Sequence, residues 1–200
     1  QYRSLREQSF QQICEENSST EKAIFYLAIP PVAYEDTVNK IGEAQVHNHF
    51  KKVFLMLEKP FGHDLESAKS LDRTIKQFFT EHEVFRVDHY LGKTMILNML
   101  SLRFANPALG AMLKADLMDH IQMTVSEDNT VAGRPYYDKT GAIRDMVQNH
   151  MLQILSFLLL PHPGKGDTDS IRDRAADVVK YLRPPTAENI VTGQYDGYAG

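Results

Sequence analysis

The sequence predicts an α/β protein: a parallel sheet covered by crossover helices, followed by the opening part of an α+β domain. Three short apolar runs, at 23–29, 52–57 and 83–87, have the length and composition of buried strands. Stretches of helical length separate these runs, and strand–helix alternation is typical of a parallel sheet. After Tyr90 the alternation stops. We therefore expect one domain over residues 1–90 and a second over residues 91–200.

The first domain is expected to contain a helix between each pair of strands. One runs from Tyr34 to about Phe50, and the other from Leu65 to Phe79, where apolar residues recur every three or four positions. Asp64 is placed to cap the second of these helices. In the second domain the pattern predicts a helix over 93–104, a break at 106–107, a strand over 120–125, a long helix after 141, and a helix from about 169 that ends before 184.

Composition excludes several classes of protein. The net charge of −4 and the sequence pI near 6.1 speak against a nucleic-acid-binding surface, which needs clustered Lys and Arg. The longest apolar stretch is far shorter than the roughly 20 residues of a membrane span. Cys14 is the single cysteine, so an intrachain disulfide is excluded. We expect a cytoplasmic protein without nucleic-acid or membrane partners. Because the chain begins at Gln1 without a leader sequence, we expect it to be cut from a longer one.

The segment Glu58–Gly62 follows the second predicted strand. Ligands of parallel sheets gather at the carboxyl ends of the strands, and Lys59 offers a positive charge there for a phosphate or a hydroxyl group. The alternative is structural: Pro60 and Gly62 turn the chain into the next helix, and Lys59 lies in solvent. The spacing alone leaves both interpretations open.

The segment Arg86–Lys93 follows the third predicted strand and is dense in groups that can hold a phosphate. It brings an imidazole, a phenol and an ammonium group together at His89, Tyr90 and Lys93. Asp88 adds a carboxylate that can orient a histidine. Alternatively, Asp88 and His89 cap the helix that starts near Lys93, and Tyr90 belongs to the core.

A third segment, residues 144–150, opens the long helix. In an α-helix Asp145 and His150 are about 140° apart, so we expect Asp145 to align with Asn149 instead. A lone histidine before an apolar helix is more often a hydrogen-bonded core residue than a catalyst. No Cys/His cluster has zinc spacing, so no metal site is predicted. Glycine motifs of the Walker and G-x-G-x-x-G types are also absent from the sequence.

Together these segments carry a family resemblance. Glu58–Gly62, Arg86–Lys93 and Ile143–His150, in this order, resemble motifs of the glucose-6-phosphate dehydrogenases, and similarity at 25–31, 102–106 and 191–195 extends the resemblance over nearly the whole chain. The resemblance implies a Rossmann-like coenzyme domain joined to an α+β substrate domain with a large antiparallel sheet. It also implies NADP-dependent oxidation of glucose 6-phosphate at C1 to 6-phosphogluconolactone, the first step of the pentose phosphate pathway.

The same resemblance implies roles for individual residues. His150 corresponds to the general base that takes the proton of the C1 hydroxyl, and Asp88 to the carboxylate that orients this base. The residues implied in substrate binding are Lys59, His89, Tyr90, Lys93, Glu127 and Asp145, of which His89, Tyr90 and Lys93 form the phosphate-binding cluster. The residues implied in cofactor binding are Tyr34 and Lys59.

The resemblance places the family's glycine-rich turn before Gln1 and most of its antiparallel sheet after Gly200. We therefore expect the 200 residues alone to be inactive, and the full-length parent to be an active homodimer or homotetramer. The alternative is a non-catalytic phosphosugar-binding fragment or a pseudoenzyme, which binds the sugar phosphate without turnover.

Overall fold

The structure is a computed structural model that describes residues 9–126, 130–131, 135–164 and 167–198. The chain divides into two units, Gln1–Asp88 and His89–Gly200. Within the described ranges, none of the helices combines the length and the apolar character that crossing a membrane requires.

Three parallel strands form the sheet of the first unit. They are β1 (Lys22–Leu27), β2 (Lys52–Glu58) and β3 (Val84–Val87), in the order β1-β2-β3. The register pairs Leu27 with Leu57 and Glu58 with Val87, so the carboxyl ends of all three strands lie at one edge of the sheet. The three predicted strands and their parallel arrangement are thereby confirmed.

Among the described residues of the first unit, four helices accompany this sheet. They are α1 (Phe10–Glu16), α2 (Tyr34–Glu43), α3 (Val46–His49) and α4 (Leu65–Lys76). The single helix predicted over 34–50 is wrong, because Gln45 has a φ of 48°, a left-handed conformation that an α-helix cannot continue through. The start of α4 is confirmed, since the Asp64 carboxylate accepts a hydrogen bond from the Ser67 backbone N–H at 2.8 Å.

The core of the first unit lies on one face of the sheet. Alternate residues of a strand point to opposite faces, and Val53, Leu55 and Leu57 of β2 are accordingly buried on the same side. The helices contribute to this core Val38 and Ile41 from α2 and Leu71 and Ile75 from α4. The opposite face carries the exposed apolar side chains Ile24, Tyr26 and Phe85. The described helices of this unit therefore cover one face of the sheet and leave the other open.

The second unit is helical wherever it has regular structure in the described ranges. Its main elements are α5 (Thr94–Ala105), α6 (Pro107–Met112), α7 (Pro135–Ala142), a π-helix (Ile143–Met151), α8 (Leu152–Leu159) and α9 (Thr168–Tyr181). Across the chain, single 3-10 turns lie at Pro31–Ala33, Glu81–Glu83, Ala115–Leu117 and Ala187–Asn189. The predicted break at 106–107 is confirmed, because Pro107 starts a new helix. The helix predicted from about 169 is confirmed as α9.

The strand predicted over 120–125 is wrong. These residues belong to no strand, and neither do any others in the described part of the second unit. A strand needs a neighbouring strand that satisfies its backbone N–H and C=O groups, and none lies beside this segment in that part. Ile121 and Met123 are half-buried while Gln122 and Thr124 are exposed. Burial therefore alternates along the segment as it would in a strand, although the segment is not hydrogen-bonded to a neighbouring strand among the described residues.

Arg103 ties α5 to the carboxyl end of α8. Its Nη1 donates to the carbonyl oxygens of Phe157 at 3.0 Å and Leu160 at 2.9 Å. Carbonyls at the end of a helix have no partner within the helix, so the guanidinium serves as a cap. Burial lowers the pKa of Arg103 from its usual value, but a guanidinium remains cationic at neutral pH. One charged side chain therefore fixes the two helices to each other.

Candidate functional site

Two tyrosines converge on Glu58 at the carboxyl end of β2. The Tyr34 hydroxyl donates to the Glu58 carbonyl oxygen at 2.7 Å, and the Tyr26 hydroxyl donates to Glu58 Oε1 at 2.5 Å. Tyr34 is only 1% exposed, and burial, followed by the charge of Glu58, raises the pKa of its hydroxyl, which stays a neutral donor. Tyr34 therefore lies beside the segment that contains Lys59, the other residue implied in cofactor binding. The sequence analysis gave Glu58 no role of its own, although its position at the end of a predicted strand was a signal that could have identified it.

The chain turns sharply after Lys59. The Lys59–Pro60 peptide bond is cis, and Gly62 has a φ of 126°. A Cβ at position 62 would lie 2.6 Å from the backbone N of Ala68, so this turn into α4 requires glycine. The interpretation that Pro60 and Gly62 turn the chain into the next helix is thus confirmed. Lys59 itself is half-buried rather than lying in solvent.

In the second unit His89, Tyr90 and His150 bring three aromatic rings together, and with Lys93 they form what we name the ring cluster. The Tyr90 and His150 rings are stacked, with centroids 4.1 Å apart and an interplanar angle of 26°. The His89 centroid lies 4.9 Å from that of Tyr90 and 4.8 Å from that of His150. Lys93 Nζ lies 3.8 Å from the centroid of the Tyr90 ring. Two distant parts of the sequence therefore form one site.

A turn after β3 builds one half of the ring cluster. The Lys93 backbone N–H donates to the Tyr90 carbonyl oxygen at 3.1 Å, which folds Lys93 back toward Tyr90. Lys93 is the N-cap of α5 and makes no side-chain capping bond. The interpretation in which Asp88 and His89 cap this helix is therefore wrong. Tyr90 is only 6% exposed, so its predicted place in a core is correct and coexists with its place in the ring cluster.

The other half of the ring cluster lies on a π-helix, whereas the sequence was expected to form an α-helix here. Because a π-helix bonds each N–H to the carbonyl five residues back, residues five apart are much closer in angle than in an α-helix. The expected separation of about 140° between Asp145 and His150 is therefore wrong, since it applies only to an α-helix. Asp145 is half-buried and His150 is completely buried. π-helical segments occur frequently at functional sites.

The ring cluster combines a buried imidazole with exposed groups that favour an anion. His150 is 0% exposed, whereas His89 and Lys93 are exposed. Histidine is the side chain best suited to exchange a proton near neutral pH. Ammonium, imidazole and phenol groups hold phosphates through charge-assisted hydrogen bonds. The arrangement can therefore bind a phosphorylated small molecule at its exposed groups and accept a proton at the buried one.

The remaining predicted site residues are distributed as follows. Asp88 is half-buried and is the last residue of the first unit. The Asn149 side chain donates to the backbone carbonyl of Asp145 at 3.4 Å, a long hydrogen bond. Glu127 lies outside the described residues. The structure thus brings His89, Tyr90, Lys93 and His150 together in one unit, and Tyr34 and the Lys59 segment together in the other.

One cavity of the second unit lies away from the ring cluster. It has a volume of about 550 Å³ and is lined in part by Met146, Val147 and Met151 of the π-helix and by Tyr195 and Tyr198. None of the predicted site residues that the structure describes lines this cavity. Its walls are mainly apolar, so size alone does not make it the reactive site, and the ring cluster has the chemically suited groups.

Two family models match the sequence. The model described as glucose-6-phosphate dehydrogenase, NAD binding domain, matches residues 1–98, and the model of the glucose-6-phosphate dehydrogenase C-terminal domain matches residues 100–200. Among curated relatives, glucose-6-phosphate 1-dehydrogenase of Rhizobium meliloti (strain 1021) is 42% identical over 176 residues, which cover 86% of this chain and 35% of that protein. The protein of the same name from Saccharomyces cerevisiae is 40% identical over 173 residues, 86% of this chain and 34% of the relative. The chain thus spans about a third of the length of these relatives.

Solved structures of the same family share the fold. The crystal structure of glucose-6-phosphate 1-dehydrogenase from Mycobacterium avium has a TM-score of 0.85 and 34% identity, covering 95% of this chain and 42% of that one. A structure described as glucose-6-phosphate dehydrogenase in complex with its substrate glucose-6-phosphate has a TM-score of 0.84 and 37% identity, covering 92% of this chain and 39% of that one. The predicted α/β class with its Rossmann-like parallel sheet agrees with these neighbours.

Proposed function

This chain belongs to the glucose-6-phosphate dehydrogenase family. From that premise we propose that the enzyme that carries this sequence oxidises glucose 6-phosphate, and that this chain supplies part of its active site. The reaction removes the hydrogen on C1 as a hydride and the proton of the C1 hydroxyl, and it leaves 6-phosphogluconolactone. NADP is the proposed hydride acceptor. The observation that carries this proposal is the ring cluster. In it the buried imidazole of His150 lies against His89 and Tyr90, and Lys93 lies over the Tyr90 ring, so three groups suited to a phosphate surround the base.

His150 is the proposed general base. A hydride can leave C1 only as the hydroxyl on the same carbon loses its proton, so a proton acceptor must lie within hydrogen-bond reach of that hydroxyl. An imidazole such as that of His150 suits this task because its neutral form has a ring nitrogen that can accept a proton. Asp88, as the carboxylate that orients this base, stays a prediction.

His89, Tyr90 and Lys93 are the proposed phosphate-binding residues. Lys93 supplies a full positive charge, and His89 and Tyr90 supply directional donors. The phosphate lies at C6 of the sugar, remote from the reacting C1, so its binding energy can be used to orient C1 toward the base. Asp145 and Glu127, as acceptors for sugar hydroxyls, stay predictions.

The carboxyl end of the parallel sheet has residues that fit a nicotinamide dinucleotide. Lys59 is half-buried directly after β2, where ligands of parallel sheets bind, and Tyr34 is held beside this segment by its bond to Glu58. Lys59 can pair with a phosphate or with a sugar hydroxyl. Bound at this edge, NADP would supply the hydride-accepting ring. The matching NAD binding domain model supports a nicotinamide dinucleotide, and we propose NADP as the specific form.

We further propose that the active protein is a cytoplasmic homodimer or homotetramer that binds neither nucleic acid nor membranes. The net charge of −4 supports the absence of a nucleic-acid partner. Sedimentation of the purified enzyme that carries this sequence, with and without nucleic acid or lipid vesicles, tests the oligomeric state and the absence of nucleic-acid and membrane binding.

The function is tested by replacing the base. In the enzyme that carries this sequence, His150→Asn should lower kcat by about 10²–10⁴ with little change in the KM for glucose 6-phosphate, because the proton acceptor acts in the transition state. His162→Asn is the matched control, since His162 is exposed and lies outside the proposed site. Turnover of His150→Asn near that of the wild type would refute the base. Binding of glucose 6-phosphate by the wild type without NADP reduction would favour the non-catalytic alternative.

A further inference from the structure

Tyr90 has a second contact that phosphate binding does not explain. A phosphate needs only the phenolic hydroxyl, yet the ring of Tyr90 lies parallel to the imidazole of His150 with centroids 4.1 Å apart. We propose that the Tyr90 ring is a positioning element for the base: it holds the imidazole of His150 in the orientation that proton transfer requires. This inference rests on the proposed function of the same site.

The stacking partner is itself firmly held. Tyr90 is 6% exposed, and its carbonyl accepts the Lys93 backbone N–H at 3.1 Å, so a tight turn anchors its main chain. On the ring, Lys93 Nζ lies 3.8 Å from the centroid, a cation–π contact. A ring fixed at its backbone and against a cation has little freedom to move. It is therefore suited to restrict a neighbouring ring.

The base needs such a restraint. General-base catalysis depends on one ring nitrogen being directed at the reacting hydroxyl, and small misplacements cost much of the rate. An imidazole can rotate about its side-chain bonds unless neighbouring groups prevent it. The 26° angle between the two rings is that of a stacked pair, while His89 contacts the same imidazole edge-on at 66°. Tyr90 therefore packs against the face of the His150 ring and limits its tilting, and His89 limits the same motion from a second direction.

The two roles of Tyr90 act on different parts of the substrate. The hydroxyl acts on the phosphate and matters only for a phosphorylated sugar. The ring acts through His150 on C1, and C1 is the same in glucose and in glucose 6-phosphate. Removing the hydroxyl should therefore weaken binding of the phosphorylated sugar, whereas removing the ring should lower the turnover of both sugars.

The test compares Tyr90→Phe with Tyr90→Leu in the enzyme that carries this sequence, using NADP with glucose 6-phosphate or with free glucose. Tyr90→Phe keeps the ring and loses the hydroxyl, so it should raise the KM for glucose 6-phosphate. Tyr90→Leu should lower kcat on both sugars by about 2- to 10-fold, the rate equivalent of the usual strength of a ring pair. Tyr181→Leu is the control, because Tyr181 is 87% exposed on α9. An unchanged kcat of Tyr90→Leu on free glucose would overturn the proposal.

A spectroscopic readout does not depend on activity or on the folding of the leucine variant. A stacked phenol ring displaces the imidazole proton resonances of His150 upfield by its ring current, and His150→Asn identifies these resonances by their loss. The displacement should be present in the wild type and in Tyr90→Phe. Ordinary histidine shifts in the wild type would overturn the stacking. If the wild type fails to oxidise glucose 6-phosphate, the proposed function is overturned instead, and the resonances still decide whether Tyr90 holds the imidazole.

Discussion

Removing the Lys93 ammonium should weaken binding of the phosphorylated sugar and leave binding of the unphosphorylated sugar unaffected. Lys93 is exposed and its Nζ lies 3.8 Å from the Tyr90 ring centroid, within the ring cluster. A hydrogen bond to a charged group contributes about 1.5–3 kcal/mol, and exposure to solvent favours the lower end of that range. Lys93→Ala should therefore raise the KM for glucose 6-phosphate by about 10- to 30-fold. The KM for free glucose should stay unchanged, because that sugar has no phosphate for Lys93 to bind.

Steady-state kinetics with both sugars measures this difference. His89→Ala should show the same selectivity in KM, since its imidazole is the second proposed phosphate donor. Lys114→Ala is a matched control, because Lys114 is an exposed lysine of the same unit outside the ring cluster. Raising the ionic strength should increase the wild-type KM for glucose 6-phosphate more than that of Lys93→Ala, since salt screens an exposed charge. An equal loss on both sugars would refute the assignment of the phosphate site.

Two further predictions concern stability. Arg103→Met should leave the carbonyls at the end of α8 without their cap. Hydrogen exchange of the amides of residues 152–160 should then become about 10-fold faster or more. Arg183→Met is the control, because Arg183 is exposed. Tyr34→Phe should lower the free energy of unfolding by about 0.5–1.5 kcal/mol, because it removes a buried hydrogen bond. Since the folded state raises the pKa of Tyr34, this contribution is present below about pH 10 and is lost as pH rises through the raised value. Urea titrations across alkaline pH should show this extra loss in the wild type, and its presence in Tyr34→Phe as well would contradict the account.

Local sequence patterns predicted the first unit well, because each of its elements can be identified from its own residues. Each strand is a short apolar run, and α4 has both a helical apolar period and a capping residue, Asp64. The prediction failed where a single backbone angle decided the outcome. Nothing in the apolar pattern of 34–50 distinguishes a continuous helix from one that ends before Gln45, where a φ of 48° interrupts the helical backbone. Helix propensity is a weak guide at a single residue, because tertiary context routinely overrides it.

The strand predicted over 120–125 failed for a different reason. Alternation of apolar and polar residues shows that one side of a segment is buried, and it does not supply a hydrogen-bonding neighbour. Ile121 and Met123 are turned inward as the alternation indicates, but no strand lies beside them in the described part of the unit. A ladder is a property of two segments, so one segment cannot determine it.

For the site, the sequence by itself determined the chemical groups and their places at strand ends and in a helix. The motifs around Lys59, Lys93 and His150 follow from residue order alone, and so does their family resemblance. Only the tertiary structure decided that His150 is completely buried, that its helix is a π-helix, and that its imidazole stacks on Tyr90. The physical reason is that a ring contact between residues far apart in sequence arises when two elements pack together. Local spacing describes the geometry within an element, and it contains no information about which element will lie opposite.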